Sequence, residues 1–483
     1  MNELTLPLFT QLLSKKNIAP VESFPDNPCL MFSALPEIED RAKIRFILGS
    51  EIQFEKGSED HVARLVKHWR AKLAPELDGA GADGVEQLDN EYLQDLASDA
   101  PIIRMVNHLM ERSLDLNASD IHFEPEEKYL KVRCRVDGVM VGLENLPSTV
   151  IAAVSSRVKL MARLDIGEKR LPQDGRIQYQ MGDRSLDMRV STLPGVHGES
   201  IVLRILDRSD IQVDLEQLGM PQGVLKSYNR VIQQPHGIVL VTGPTGSGKT
   251  TSLYATLEKI NTGQQKTITI EDPVEYQLEG ITQIHVNSKI GLSFAAGLRS
   301  IVRQDPDIIM VGEIRDRETA EIAIESALTG HLVFSTLHTN DSAGAITRLQ
   351  DMGIDSYLIS SSIISAMAQR LVRKICVHCA DFELITDEEA DLLEIDPMQF
   401  SEIRRGIGCE RCANTGYRGR LGLYELLVIS DGIRHVIGAG GDASAIRNQG
   451  VKEGLRTLRK DAMEKLFQGV TTPEEIVRVT KAN

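Results

Sequence analysis

The stretch Ile-Val-Leu-Val-Thr-Gly-Pro-Thr-Gly-Ser-Gly-Lys-Thr occupies residues 238–250 and decides the fold. Its apolar start predicts a short strand, and its last eight residues fit the pattern Gly-x-x-x-x-Gly-Lys-[Ser/Thr] without a mismatch. Glycines let backbone N–H groups turn around a phosphate, at which the next helix directs its positive N-terminus. We expect Lys249 to reach the β- and γ-phosphates and Thr250 to bind Mg²⁺. The predicted nucleotide-binding residues are Gly243, Pro244, Thr245, Gly246, Ser247, Gly248, Lys249, Thr250 and Thr251.

Three further short apolar runs follow this stretch, and helix-forming segments separate them. They lie at residues 267–270, 308–311 and 332–335. Alternation of strand and helix predicts a parallel sheet with crossover helices, so the fold class is α/β.

The second of these runs is followed by Gly312 and Glu313, where a nucleotide hydrolase carries the acidic residues of its second motif. We predict that Glu313 orients the attacking water. The aspartate usual before it is replaced by Gly312, so Mg²⁺ would depend on Thr250, water and other carboxylates. The alternative is that Glu313 only forms an ion pair with Arg315.

Two other polar groups are candidates for the same site. Glu271 ends the strand at 267–270 and is predicted to lie beside the γ-phosphate, whereas its neighbour Asp272 could instead cap a turn before Pro273. His331 and His338 flank the run at 332–335 and are candidate γ-phosphate sensors, with ordinary packing as the alternative.

Four of the six cysteines form two Cys-x-x-Cys pairs separated by 29 residues: Cys376, Cys379, Cys409 and Cys412. Four thiolates suit a tetrahedral Zn²⁺, with an iron–sulfur cluster or a redox dithiol as alternatives. Basic residues flank both pairs and are expected to offset the negative charge: Arg370, Arg373, Lys374, Arg404, Arg405 and Arg411. His378 is not expected to be a ligand, and Cys29 and Cys134 are interpreted as buried thiols.

The 483 residues carry a formal charge of −15, which argues against a protein that coats nucleic acid. A run of about 18 apolar residues and a secretory signal are both missing from the sequence, which predicts a cytoplasmic protein. The predicted organisation is an N-terminal module at 1–75, an acidic linker at 76–95, an α+β domain at 96–215, the P-loop core at 216–370, a zinc subdomain at 371–420 and a helical end at 421–483.

The phosphate loop, the Ile-Glu-Asp-Pro-Val-Glu box at 270–275, the Val-Gly-Glu-Ile-Arg-Asp box at 311–316 and the histidine box at 330–341 occur in an order that resembles the type II/IV secretion ATPases. The resemblance covers about 95–480 and is strongest to the type II secretion branch, with a type IV pilus assembly ATPase as the alternative. It implies a RecA-like motor domain that binds ATP and Mg²⁺, a homohexamer, and docking of the N-terminal module onto inner-membrane platform proteins.

The resemblance also implies that arginines contribute to catalysis. Segments 170–176 and 187–199 match the family, which implies this role for Arg176 and Arg189. Segment 298–307 also matches, which implies the same role for Arg299 and Arg303. Such cations would offset charge on the transferred phosphoryl group. Arg204 is expected to be structural. Rival interpretations are a nucleic-acid motor with a zinc ribbon and a catalytically silent scaffold.

Overall fold

A computed structural model describes residues 18–21, 29–33, 53–73, 98, 100–181, 184–207, 214–396 and 402–480. The acidic linker predicted at 76–95 lies outside the described residues. Within the described residues, the helices are too short or too polar to cross a membrane.

The described part of the N-terminal module is a small sheet with one helix. Its elements are β1 (Ile18–Pro20), β2 (Cys29–Phe32), β3 (Gln53–Lys56) and α1 (Glu59–Leu73), with sheet order β1-β2-β3. The apolar face of α1, formed by Val62, Leu65, Val66 and Trp69, is buried, and the indole N–H of Trp69 donates to the Pro20 carbonyl at 2.9 Å. Trp69 therefore ties the helix to the sheet.

The α+β domain contains an antiparallel sheet in the order β6-β5-β4-β9-β8-β7. Its elements are α2 (Ala100–Asp115), β4 (Ala118–Pro125), β5 (Tyr129–Val136), β6 (Val139–Pro147), α3 (Ile151–Met161), β7 (Gln173–Met181), β8 (Arg184–Gly195) and β9 (Gly198–Asp207). Apolar and polar residues alternate along β5 and β8, and the apolar residues Leu130, Val132, Met188 and Val190 are buried. A tight turn at Asp137 and Gly138 joins β5 to β6.

The P-loop core is built on a seven-stranded sheet in the order β12-β11-β13-β14-β10-β15-β18. All neighbouring strands run parallel except β15 and β18. The elements are α4 (Gln222–Val231), β10 (Gly237–Thr242), α5 (Lys249–Ile260), β11 (Thr267–Glu271), β12 (Thr282–His285), α6 (Phe294–Ile301), β13 (Ile308–Val311), α7 (Arg317–Leu328), β14 (Leu332–Leu337), α8 (Ser342–Asp351), α9 (Ser356–Ser362), β15 (Ile363–Ile375) and β18 (Tyr417–Val428).

Alternating side chains of the central strand make this a three-layer structure. Ile238 and Leu240 pack on one face with helices α6 to α9, whereas Val239 and Val241 pack on the other with α4 and α5. A strand buried on both faces needs apolar residues at every position. This requirement explains the unbroken apolar run before the phosphate loop and confirms the predicted parallel sheet.

Strands β15 and β18, of 13 and 12 residues, pair at one edge of the core sheet and form an arm whose connecting segment contains the cysteine pairs. The remaining elements are β16 (Ala380–Leu384), α10 (Asp387–Leu393), β17 (Glu402–Gly406), α11 (Asp431–Gly438), α12 (Ala443–Lys452), α13 (Leu458–Phe467) and α14 (Pro473–Thr480). Strands β16 and β17 pair with each other, and the apolar residues of α13 and α14 pack against the arm.

Buried Glu475 anchors α14 to the arm. Its carboxylate accepts from the backbone N–H of Arg373 at 2.8 Å and from the guanidinium groups of Arg373 and Arg478 at 2.7–3.0 Å. Burial alone would raise the pKa of Glu475, but the hydrogen bonds from Arg478 and Arg373 lower it below the ordinary value.

We predict that Glu475→Ala destabilises the docking of α14 by about 3 kcal/mol, because it leaves the guanidinium of Arg373, which is only 16% exposed, without its carboxylate partner. The matched control Glu474→Ala removes a half-exposed carboxylate and should cost less than ~1 kcal/mol. Hydrogen exchange of residues 473–480 measures both. Since the folded pKa of Glu475 is lowered, the docking is strong above the unfolded pKa of the carboxyl group and weakens as the pH falls through the folded value. Equal protection in the two variants would contradict this role.

Candidate functional site

A cleft of about 780 Å³ lies at the carboxyl ends of β10, β11, β13 and β14. The P-loop core forms most of it, the α+β domain forms a facing wall, and the arm adds one side. Ligands of parallel α/β sheets bind at this edge. The lining residues include Ser119, Arg204, Ile205, residues 245–251, Tyr254, Glu271, Asp272, Glu275, Phe294, Gly312, Glu313, Arg315, Thr336, His338, Leu371 and Arg420.

The phosphate loop is packed so tightly against the arm that two of its positions require glycine. A Cβ atom at Gly243 would lie 2.5 Å from the carbonyl oxygen of Gln369, and one at Gly248 would lie 2.8 Å from its side-chain nitrogen. Gly248 also has a φ of 86° where α5 begins, which favours glycine. The predicted loop and helix are therefore both present, with the helix N-terminus at the cleft.

Two hydrogen-bonding groups of the loop indicate that it can bind a phosphate. The ammonium group of Lys249 donates to the loop's own carbonyls, to Gly243 at 2.8 Å and to Pro244 at 3.2 Å. The hydroxyl of Ser247 is buried without a hydrogen-bond partner. A phosphate oxygen would supply an acceptor for both groups.

Glu313 lies in the cleft and contacts a histidine and an arginine. One carboxylate oxygen is 3.2 Å from Nε2 of His338, and the other forms an ion pair with Arg315. The backbone just before Glu313 is held by two neighbouring strands. The N–H of Gly312 donates to the Ile270 carbonyl, and the carbonyl of Gly312 accepts from the Thr336 hydroxyl. Glu313 therefore occupies a defined position beside the loop, and its pairing with Arg315 is one of two contacts rather than its sole one.

Glu271 lines the same cleft but is 3% exposed and held by three donors. Thr269 donates to it at 2.5 Å, Gln283 donates at 3.1 Å, and the phenol of Tyr254 donates as well. Burial and the charge of Glu271 raise the pKa of Tyr254, so the phenol keeps its proton. Glu271 is thus positioned for an electrostatic role and is not free to rotate toward a ligand.

The two predicted histidines lie at opposite ends of β14. His338 follows the strand and lines the cleft, whereas His331 precedes it and binds the Ser326 carbonyl through Nδ1 at 2.8 Å. Six residues of strand separate them, which is roughly 20 Å. The structure does not bring His331 to the cleft of its own chain.

The four arginines carried over from the resemblance also lie outside this cleft. Arg189 reaches the 270–275 box from the α+β domain, 3.4 Å from Glu275 and 3.5 Å from the Val274 carbonyl. Arg176 is its exposed neighbour across β7 and β8. The other two are exposed on and just beyond α6, where Arg299 pairs with Glu318 and Arg303 donates to the Arg299 carbonyl.

Three arginines that the sequence reasoning did not select line the cleft. Arg204, expected to be structural, extends from the α+β domain and is held at Nε by buried Asp120 at 3.0 Å. Arg315 pairs with Glu313, and Arg420 lies 3.7 Å from Asp137. The position of Arg315 two residues after Glu313 was the one available sequence signal for this group.

The four predicted zinc ligands form one cluster, with all Sγ atoms within 4.8 Å of one another. Three of the Sγ–Sγ distances are 3.7–3.9 Å, and a zinc–sulfur tetrahedron has edges of about 3.8 Å. Burial raises the pKa of Cys379 to about 12. The Cys412 thiol has a pKa of about 7, because N–H groups of Cys409 and Gly416 outweigh the effect of burial. The residues fit a structural Zn²⁺.

Of the six basic residues expected to offset the thiolates, three are engaged by groups outside the cluster, whereas a fourth, Arg411, stays beside the first cysteine pair. Arg373 pairs with Glu475, Arg405 pairs with three glutamates, and Arg411 contacts His378. Arg370 points to the phosphate loop. Sequence proximity was misleading because alternate residues of a strand face opposite sides. As predicted, His378 is outside the thiol cluster, and Cys29 and Cys134 are buried.

A phosphate loop at the carboxyl edge of a parallel sheet, with an acidic residue just after the end of β13, one strand removed from the strand that precedes the loop, defines a P-loop nucleotide-binding protein. The sequence profile of the Type II/IV secretion system proteins matches residues 95–478, and the chain belongs to this family.

Several named proteins are similar to this chain in sequence or in structure. The chain is 48% identical over 447 residues to "Type II secretion system protein E" of Xanthomonas campestris pv. campestris, covering 91% of this chain and 78% of that protein. It is 46% identical to "Type II secretion system ATPase E" of Vibrio cholerae, covering 81% and 78%. Among solved structures, the pilus retraction motor PilT with bound ADP matches at a TM-score of 0.53 and 26% identity, covering 77% and 95%. The Legionella pneumophila ATPase DotB matches at 0.58 and 22%, covering 78% and 96%, and supports the fold alone.

We predict one zinc ion per chain, removed by Cys412→Ser, because four thiolates are needed to complete the tetrahedron. The apparent Tm of this variant should fall by about 5 °C or more, since the metal closes the end of the arm. Elemental analysis and thermal melting measure the two effects. The control Cys134→Ala removes a buried thiol remote from the cluster and should retain the metal. Full zinc content in Cys412→Ser would contradict the assignment.

Proposed function

We propose that the protein hydrolyses ATP and powers a type II secretion system. The observation that carries the hydrolytic part is the placement of Glu313, held by His338 and Arg315 in the cleft that contains the phosphate loop. A carboxylate with its position fixed by two partners can orient a water molecule for in-line attack. The same activity is supported by a relative that is named an ATPase and by a similar structure that holds ADP.

Each cleft residue has a distinct task in this proposal. Lys249 leaves the carbonyls of its own loop and binds the phosphate oxygens, while Ser247 and the helix N-terminus add donors. Glu313 accepts a proton from the attacking water, and His338 keeps that carboxylate in place. Thr250 and nearby carboxylates would hold Mg²⁺, which neutralises charge on the phosphate oxygens when bound.

The placement of the arginines supports a homohexameric ring as the working form. Arg176, Arg299 and Arg303 are exposed and lie outside the cleft of their own chain. A residue in such a position can complete the cleft of a neighbouring subunit, as an arginine finger supplied in trans does. In a closed ring every subunit both gives and receives such a contact.

The relatives named type II secretion system protein E support secretion rather than pilus assembly as the machine served. In this proposal the protein is cytoplasmic, and its N-terminal module docks onto cytoplasmic domains of inner-membrane platform proteins. Hydrolysis moves the α+β domain against the core. The contacts that join these parts include Arg189 with Glu275, and Asp137 with the backbone N–H of Gly419 at 2.7 Å.

Glu313→Gln should lower the rate of ATP hydrolysis by ~10²–10⁴-fold and leave ATP binding intact, because it removes the proton acceptor but not the phosphate ligands. The control Glu321→Gln alters an exposed carboxylate paired with Arg317 and should hydrolyse ATP at the wild-type rate. Phosphate release and nucleotide titration give the two readings. Wild-type hydrolysis by Glu313→Gln would refute the role of this residue.

Mixing two inactive variants tests the ring. Lys249→Ala lacks a cleft residue and Arg303→Ala lacks an exposed arginine, so an equal mixture should regain roughly a quarter of the wild-type rate through clefts built from one intact group of each. Arg317→Ala serves as the control for loss of an exposed arginine and should be active alone. A mixture no more active than its components would contradict action across subunits.

A further inference from the structure

Arg370 is a buried cation without a carboxylate in contact. Its side chain lies in β15, and the residue is 6% exposed. The guanidinium donates to three neutral oxygens, the Gln369 carbonyl at 3.1 Å and the carbonyl and side-chain oxygens of Asn340 at 2.8 and 3.2 Å. Among the described residues, no Asp or Glu lies within 4.0 Å of it, unlike the other interior cations Lys159 and Lys465.

The carboxylates that influence Arg370 are committed to other partners. Asp341 forms an ion pair with Arg447 and accepts from the N-terminus of α8. Glu425 accepts from the backbone N–H and hydroxyl of Ser342 and from the backbone N–H of Leu458. A buried charge is costly unless it has a counter-charge. The charge of Arg370 therefore lacks a close counter-ion in the protein.

The direction of Arg370 indicates where a counter-charge would come from. One guanidinium nitrogen would lie 3.2 Å from a Cβ atom at Gly243, the first residue of the phosphate loop. Lys249 bonds the carbonyl of the same residue from the other side. Burial lowers the pKa of Lys249, Glu313 partly opposes this effect, and Arg370 adds to it. Two cations thus face one loop whose ligand is an anion.

Resting on the function proposed above, we propose that Arg370 is a second cation for the nucleotide phosphates, acting from behind the phosphate loop as a positioning residue. Arg370 strengthens the binding of nucleoside di- and triphosphates relative to nucleosides, because only the phosphate groups bring several negative charges close to the loop. Through Asn340, two residues beyond His338, it also joins the loop to the segment that contacts Glu313.

The test separates recognition of phosphate from general stability by comparing ligands that differ only in phosphate content. ATP, ADP and adenosine are titrated into wild type, Arg370→Gln and the control Arg373→Gln by competition with a fluorescent nucleotide. Arg373 lies on the same strand but pairs with Glu475 and stacks on Tyr417. Arg370→Gln should weaken ATP and ADP by about tenfold and adenosine by less than about twofold. Arg373→Gln should leave all three within about twofold.

Equal weakening of all three ligands, or none, in folded Arg370→Gln would overturn the proposal. Should this variant not fold, Arg370→Lys takes its place, since it keeps the charge and should preserve the preference for ATP over adenosine within about threefold. If Arg370→Lys loses the preference for ATP over adenosine as completely as Lys249→Ala does, that result would also overturn the proposal. Wild type that binds ATP without hydrolysing it would refute the proposed function and leave this inference standing.

Discussion

The close approach of Gly243 and Gly248 to Gln369 is the contact on which the rest of the structure depends. The phosphate loop can adopt its turn only where strand β15 lies against its back, and the side-chain amide of Gln369 accepts from Ser252 in the helix that follows the loop. Because Gln369 is 1% exposed, its polar atoms need hydrogen-bond partners within the protein. This requirement fixes the position of β15 relative to the phosphate loop and to the helix that follows it. The nucleotide site is therefore built as much by the arm as by the loop.

This constraint gives the cysteine cluster a structural purpose. Strand β15 passes behind the phosphate loop at Gln369 and ends next to Cys376. Strand β18 begins after Cys412 and pairs with β15 over nearly the whole length of β15. A metal that joins the two ends limits how far these strands can separate. Buried acids secure the other side of the arm, where Asp461 accepts from the backbone of Tyr424 and from Lys465. A bound metal would hold the arm at its tip, and the contacts of α13 hold it along its face.

Much of this could be predicted because the signals are local. A phosphate loop, four apolar runs and two Cys-x-x-Cys pairs determine the parallel sheet, the cleft and the metal cluster from short stretches of sequence. Strand β15 was missed because it contains a polar and a charged residue, Gln369 and Arg370, whose hydrogen bonds are supplied by distant parts of the chain. His331 was paired with His338 because they are close in sequence, although a strand carries them to opposite ends. The role of an arginine depends on its partners, which spacing does not reveal.

The central claim is that the cleft between the α+β domain and the P-loop core holds the nucleotide phosphates. A crystal structure with a non-hydrolysable ATP analogue and Mg²⁺ tests it most directly. Our account predicts that the ammonium of Lys249 exchanges the Gly243 and Pro244 carbonyls for phosphate oxygens, and that the Ser247 hydroxyl gains a partner. An analogue bound elsewhere, or a phosphate loop in which Lys249 keeps its present contacts, would contradict it.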